Sequence, residues 1–252
     1  MTIVVKLGGN AIAAAAGEGP AAAVAALVKT GYSPVVVHGG GPMIARALKR
    51  AGIATRFVRG LRVTTAESLP VVEAELTLLG KRLAQGIGRA VGLTGRDDHL
   101  LVAETLDADL GHVGRVTAVN GRLLVDLLSA GITPVVACLA ETADGRSVLN
   151  VNADSAASAI AGALCAPVLF LTNVPGVLDD PNDATSLLAD LSAAEVAARL
   201  SDGRIAGGMI PKVEAALEAL ERGAAYAVIA DGRTAGALAE AVAGRSGTRL
   251  YR

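Results

Sequence analysis

Aromatic residues are nearly missing from this chain: its 252 residues include no Trp, two Phe and three Tyr. A core without rings has to be packed from Val, Leu, Ile and Ala, and at 52% hydrophobic the chain has ample material for one. Basic clusters with interleaved aromatics are missing too, and the formal net charge is −1. That excludes the electrostatic footprint of a nucleic-acid binder. Cysteine is limited to Cys138 and Cys165, both in apolar runs and without CxxC or Cys/His spacing. The pattern predicts buried free thiols in a reducing compartment and no protein-bound metal. The apolar start at 3–7 is too short for a signal peptide. The run 155–178 carries no charge and has the length of a membrane span, but Pro167 and Pro175-Gly176 break it. It divides into a helix over 156–165 and a buried strand over 168–171. A soluble, cytoplasmic protein with no membrane partner is expected, as one large α/β domain or two lobes.

Three familiar motifs are also lacking. There is no GxxxxGK[ST] for a Walker loop, and no glycine turn has the third glycine of a dinucleotide fingerprint. His38-Gly39-Gly40-Gly41 resembles an esterase oxyanion-hole motif, but no serine sits in a GxSxG elbow, so that reading fails.

What the chain does have is glycine turns at strand ends. Val35-Val36-Val37-His38 runs into Gly39-Gly40-Gly41, and Pro42 then opens a helical pattern. This layout brings bare backbone N–H groups up to an anion, and Pro suits the first helical position. A similar turn, Lys6-Leu7-Gly8-Gly9-Asn10, follows strand 3–7. Two such turns, one with an embedded lysine, suggest a phosphate site built from two strand ends; the plain alternative is a pair of turns with no ligand.

Apolar runs alternate with helical patterns along the whole chain. Strands are predicted at 3–7, 35–37, 91–93, 100–104, 113–119 (as a hairpin arm), 133–138, 168–171, 225–229 and 248–250. Helices are predicted near 20–30 and over 42–51, 65–83 with Thr65 as cap, 122–129, 153–165, 192–200, 211–222 and 234–243. Ser192 and Glu195 form a capping box. Repeated βα units imply a largely parallel sheet covered on both faces.

Polar residues in apolar settings carry the candidate chemistry. Lys6 ends a strand beside Gly8-Gly9; snorkelling at a sheet edge is its other reading. Asn150 and Asn152 fall on one predicted strand face, with Asp154 at a helix start, where plain N-capping would explain it. Gly207-Gly208-Met209-Ile210-Pro211-Lys212 is a further glycine turn into a helix. A lysine in a first turn opposes the helix dipole, so Lys212 wants an anion. Asn173-Val174-Pro175-Gly176-Val177-Leu178 follows a strand and could hold a nucleotide, though a Pro-Gly turn needs no ligand. Arg62 could clamp a carboxylate bidentately or simply make a surface ion pair.

Taken together, Val-Lys-Leu-Gly-Gly at 5–9, His-Gly-Gly-Gly-Pro at 38–42, Gly-Leu-Arg-Val-Thr at 60–64, Val-Gly-Leu-Thr-Gly at 91–95, Gly-His-Val-Gly at 111–114, Asn-Val-Asn-Ala-Asp at 150–154, Thr-Asn-Val-Pro-Gly-Val at 172–177, Gly-Gly-Met-Ile-Pro-Lys at 207–212 and Asp-Gly-Arg at 231–233 resemble the amino acid kinase family in order. The resemblance implies an open, mainly parallel α/β/α sandwich. Its N-terminal lobe, 1–165, would bind an acyl amino acid and dimerise, and its C-terminal lobe, 166–252, would bind ATP. It further implies ATP-dependent phosphorylation of the side-chain carboxylate of N-acetyl-L-glutamate. Lys6 and Lys212 would neutralise the transferring phosphoryl group, Asp154 would hold both lysines, and Gly8, Gly9, Gly40 and Gly41 would offer N–H groups. Mg²⁺ would ride on the nucleotide. Gly40, Gly41, Arg62, Asn150 and Asn152 would bind the substrate. Asn173, Val174, Gly176, Val177, Leu178, Gly208, Met209 and Lys212 would line the nucleotide site.

The chain departs from the family pattern at Asn173, commonly Asp, and at Gly95-Arg96-Asp97-Asp98, usually Gly-Lys-Asp-Gly. A strand at residue 3 leaves no room for the N-terminal helix that links arginine-inhibited members into hexamers, so a homodimer without arginine feedback is expected. Two rival readings are a lysine-pathway kinase of carrier-bound aminoadipate or glutamate and a non-catalytic sensor. The unaltered Gly-Leu-Arg-Val-Thr and the lack of a basic surface favour the free acetylated substrate. Retention of Lys6, Asp154 and Lys212 argues against a sensor.

Overall fold

The computed structural model describes residues 1–9, 12, 18–180, 182, 183, 185–233 and 236–252. Asn10, at the end of the first glycine turn, and residues 234 and 235, which open the helix expected over 234–243, lie outside the described residues. In chain order the elements are β1 (Thr2–Leu7), α1 (Glu18–Lys29), β2 (Ser33–His38), α2 (Gly41–Arg50), β3 (Phe57–Val58), β4 (Leu61–Arg62), α3 (Leu69–Ile87), β5 (Ala90–Thr94), β6 (Leu101–Thr105), β7 (Val113–Val119), α4 (Gly121–Ser129), β8 (Thr133–Ala137), β9 (Leu139–Glu141), β10 (Val148–Val151), α5 (Ala153–Ala163), β11 (Val168–Thr172), β12 (Asp190–Ser192), α6 (Ala193–Ser201), α7 (Ile210–Arg222), β13 (Ala227–Asp231), α8 (Ala237–Val242) and β14 (Thr248–Tyr251).

Eight strands form one sheet in the order β12-β14-β13-β11-β1-β2-β8-β5. Every neighbouring pair is parallel except β13 and β14. The central strands read as unbroken apolar runs because both faces are covered. Side chains alternate between two cores. Val4, Val35, Val37, Phe170 and Ile229 face a layer containing α5 and α7. Val5, Val36, Leu169 and Val228 face a layer containing α1 and α8. The result is a three-layer α/β/α sandwich. Strands β6, β7, β9 and β10 leave the main sheet and close on themselves, and β7 pairs antiparallel with β6, the hairpin arm that its spacing implies.

Three local expectations need correction. Thr65 does not cap the long helix directly, because a turn intervenes. The Ser68 hydroxyl accepts from the Thr65 N–H at 2.8 Å, Thr65 Oγ1 accepts from the Ser68 N–H at 3.1 Å, and α3 starts at Leu69. Asn152 is not on the strand with Asn150; it is the N-cap of α5, its side chain accepting from the N–H groups of Asp154 and Ser155. Cys138 is buried, but Cys165 is exposed, because it sits past the end of α5 in a left-handed conformation (φ 47°) that closes the helix. The expected capping box at Ser192 and Glu195 forms with both reciprocal bonds.

His38, the last residue of β2, is wholly buried, and burial lowers its pKa from 6.5 to about 4. The folded chain keeps the ring neutral while the unfolded chain protonates it below 6.5. Between those values the unfolded state therefore binds more protons, and stability falls as pH falls. The loss attributable to His38 is about 2 kcal/mol on going from pH 7 to pH 5. Urea unfolding at both pH values should show His38→Leu losing less stability than the parent by about this amount. Equal losses in the two proteins would remove the imidazole from the account.

Candidate active site

Starting from β1, the chain builds outward through β2, β5 and β8 and later returns to add β11 and β13 on the other side of β1. In open α/β sheets the crevice for a ligand lies at the carboxyl ends of the strands where the order reverses in this way. The turn after β1 and the turn after β2 meet there. A Cβ at Gly9 would lie 2.9 Å from Pro42 Cδ and 3.0 Å from the Gly41 nitrogen, so only glycine permits the contact. Among the described residues nothing accepts a hydrogen bond from the N–H of Gly8, Gly9, Gly40 or Gly41.

Alternation along β1 sends Lys6 to the same side as Val4, toward α5. Its Nζ lies 2.7 Å from Asp154 Oδ1, with side-chain exposures of 12% and 29%. Asp154 is free for this pair because Asn152 performs the capping. Lys212, in the first turn of α7, folds its Nζ back onto the Gly208 carbonyl at 2.7 Å. Its pKa is lowered, chiefly by burial and less by Lys6, against the opposing pull of Asp154. The three charges sum to +1, and α2, α5 and α7 all begin here, adding the positive ends of their dipoles. The arrangement is built for an anion. Behind it lies Cys138, whose thiol burial pushes up to about 12, so it stays protonated and is no nucleophile.

Arg62 reaches the same place from β4. Its guanidinium donates to the Gly41 carbonyl at 3.2 Å and to Thr55 Oγ1 at 3.3 Å, and stacks 4.7 Å from the centre of the Phe57 ring. Burial lowers its pKa. Thr64 links Arg62 to Asn150, donating to the Arg62 carbonyl and accepting from Asn150 Nδ2 at 3.1 Å. A cavity of about 330 Å³ has Leu61, Leu106, Val113, Arg115, Asn152 and Glu218 in its walls; of the residues expected to bind the substrate, only Asn152 lines it. Thr64, Leu106 and Val113 were not singled out from the sequence. The signal for Thr64 was there: in an extended Arg62-Val63-Thr64 run it must share a side with Arg62.

After β11, Asn173 is exposed and Val174 and Leu178 half-buried, whereas Gly176 and Val177 turn inward. Val177 is 1% exposed; its N–H donates to Thr248 Oγ1 at 2.8 Å and its carbonyl accepts from Leu188. Val177 thus anchors the turn instead of presenting a free group. Gly208 is exposed and Met209 half-buried at the entrance to α7.

Lysines, glycine N–H groups and helix N-termini gather at a reversal of strand order, an arrangement suited to phosphate. The model of the amino acid kinase family matches residues 1–231. The acetylglutamate kinase of Deinococcus radiodurans is 54% identical over 248 residues, covering 98% of this chain and 99% of its own length. That of Thermus thermophilus is 50% identical over 218 residues, covering 85% and 86%. A Streptococcus mutans protein of solved structure superposes with a TM-score of 0.79 at 30% identity, covering 99% of this chain and 98% of that one. With motifs, fold and near full-length relatives in agreement, this chain belongs to the amino acid kinase family.

Proposed function

We propose that this chain transfers the γ-phosphoryl group of ATP to the side-chain carboxylate of N-acetyl-L-glutamate, forming N-acetyl-L-glutamyl 5-phosphate in arginine biosynthesis. The observation that carries the reading is the Lys6–Asp154 pair with Lys212 beside four glycine N–H groups that have no acceptor among the described residues. Relatives at about half identity and near full coverage support it.

A carboxylate is ionised at neutral pH, its pKa lying near 4.3, so no general base is required. The barrier is repulsion between two anions, which positioning and electrostatics must overcome. One carboxylate oxygen bonds to the γ-phosphorus as the bond to the β-bridging oxygen breaks, and ADP leaves with the electron pair. Lys6 and Lys212 spread positive charge over the phosphoryl oxygens, Asp154 positions them, and Gly8, Gly9, Gly40 and Gly41 donate N–H groups. The donor set at the turns is ammonium and N–H, and Asp154 is committed to Lys6, so the site suits phosphate and not a bare cation. Mg²⁺ bound through the nucleotide phosphates fits this arrangement and would neutralise part of their charge.

Arg62 and Asn150, with Asn152 nearby, are assigned to the α-carboxylate and amide of the substrate. Asn173, Val174, Gly176, Leu178, Gly208 and Met209 are assigned to the nucleotide, with Val177 holding their turn. The acyl amino acid side is residues 1–165 and the nucleotide side 166–252. The reading includes a cytoplasmic homodimer, with Leu78, 46% exposed on the outer side of α3, as a candidate contact. Light scattering should give about twice the 25.1 kDa chain mass; a monomer in dilute solution would remove the dimer.

Hydroxylamine trapping with MgATP should yield hydroxamate from N-acetylglutamate and little from N-acetylaminoadipate or free glutamate. Silence on all three would overturn the reading. In the same assay Lys6→Ala and Lys212→Ala should each lower turnover by about 10²–10³-fold, the loss typical of one oriented donor or charge, with the urea midpoint little changed. Turnover near that of the parent would take that lysine out of the mechanism.

A further inference from the structure

His38 is a buried imidazole that the mechanism above leaves unused. It is 0% exposed, and its two nitrogens have different surroundings. Nδ1 lies 3.2 Å from the Gly39 carbonyl oxygen. A carbonyl only accepts, so Nδ1 carries the hydrogen and donates. Nε2 has no hydrogen-bond partner among the described residues. It abuts Gly80 of α3, where a Cβ would lie 2.9 Å from it. Burying a polar nitrogen without a partner costs stability, so this ring is held in place at an expense that packing alone does not explain.

The Gly39 carbonyl and the Gly40 N–H belong to one trans peptide, in which the two groups point in opposite directions. Holding the Gly39 carbonyl against the buried ring therefore points the Gly40 N–H away from that ring, and Gly40 is itself buried. That N–H is one of the four with no acceptor among the described residues. The rest of the turn is seated by other contacts: the Gly39 N–H donates to the Leu7 carbonyl at 3.3 Å, and Gly40 rests on Leu76, which a Cβ there would approach to 2.8 Å. None of these contacts fixes the rotation of the peptide between Gly39 and Gly40.

We infer that His38 is a positioning residue for the glycine turn, its Nδ1–H holding the Gly39 carbonyl inward so that the Gly40 N–H faces the reacting anions. Without that bond the peptide is free to flip, which removes a donor and turns a carbonyl oxygen toward bound phosphate. The orientation of the peptide stands on the geometry alone, whereas its effect on turnover rests on the kinase reading above. The ring is neutral across the working pH range, burial having lowered its pKa to about 4, so the single donor at Nδ1 is always available.

Asparagine and glutamine separate this role from simple filling of space. The amide of His38→Asn reaches the position of Nδ1, while that of His38→Gln reaches the position of Nε2. With N-acetylglutamate and MgATP, His38→Gln and His38→Leu should lose about a hundredfold in kcat, the loss expected for one aimed donor. Their KM values should stay within about threefold, and His38→Asn should stay within about tenfold of the parent kcat. Both amides carry the same groups, so a general loss of stability cannot produce that order. Amide hydrogen exchange read by NMR reports the peptide directly. The Gly40 amide should exchange rapidly in the parent and in His38→Asn and at least tenfold more slowly in His38→Gln and His38→Leu. A protected Gly40 amide in the parent, or indistinguishable behaviour of the two amide variants, would overturn the inference. A parent silent toward N-acetylglutamate would count against the kinase reading alone, and the exchange data would still decide the orientation.

Discussion

The ion pair between Lys6 and Asp154 is the interaction on which the rest of the site depends. A lysine near the end of the central strand, turned toward a helical layer, is stripped of most of its water and requires a counter-charge. The first turn of α5 supplies it, but only because Asn152 takes over the capping that would otherwise occupy a carboxylate at a helix start. Two adjacent polar residues thereby divide the work: Asn152 satisfies the backbone and Asp154 holds the lysine. Lys212 then adds a charge that pairs with no carboxylate among the described residues, which is why the site is proposed to take an anion.

The scarcity of aromatics contributes to this geometry. In α5, Ala156, Ala157, Ala159 and Ala161 are all buried, and side chains this small let α7 pack closely alongside. Ser158 Oγ donates to the Ala215 carbonyl at 2.8 Å. Further along, a Cβ at Gly162 would lie 2.6 Å from both the Cβ and the carbonyl oxygen of Arg222. These contacts advance in the same direction along both helices, so the two run parallel and their first turns lie side by side. Asp154 and Lys212 occupy those first turns. A bulkier seam would move the helices apart and take Lys212 away from the carboxylate that supports its charge.

Much of this was legible in the sequence, for physical reasons. Long apolar runs bounded by glycine can only be covered strands, and Lys6 and Lys212 stand out because charge at a strand end or in a first helical turn demands a partner. Short elements were not legible: β3, β4, β9 and β12 have two or three residues each, too few for any periodicity to register. Nor could the sequence assign the cap of α5, since Asn152 and Asp154 are both good caps and only the backbone at 152 decides between them. Cys165 was misjudged because an apolar neighbourhood in sequence does not reveal a left-handed residue that turns its side chain outward. The antiparallel placement of β14 likewise depends on a return path that has no local signature.

The proposed division into an acyl amino acid side and a nucleotide side runs through a hydrogen-bonded seam, not a linker. Strand β1 pairs with β2 on one side and with β11 on the other, so the two glycine turns and the Asn173 turn issue from adjacent strands about 4.8 Å apart. In the proposed reaction the separation between the γ-phosphate and the acceptor carboxylate would therefore be set largely by sheet geometry, which is stiff. Whatever adjusts on binding has to lie in the turns themselves and in the arms that rest on them, among them the β3–β4 hairpin carrying Arg62. In the proposed reaction the sheet would hold the reacting groups near transfer distance, the lysines and N–H groups would lower the cost of bringing two anions together, and the hairpin would select the carboxylate admitted.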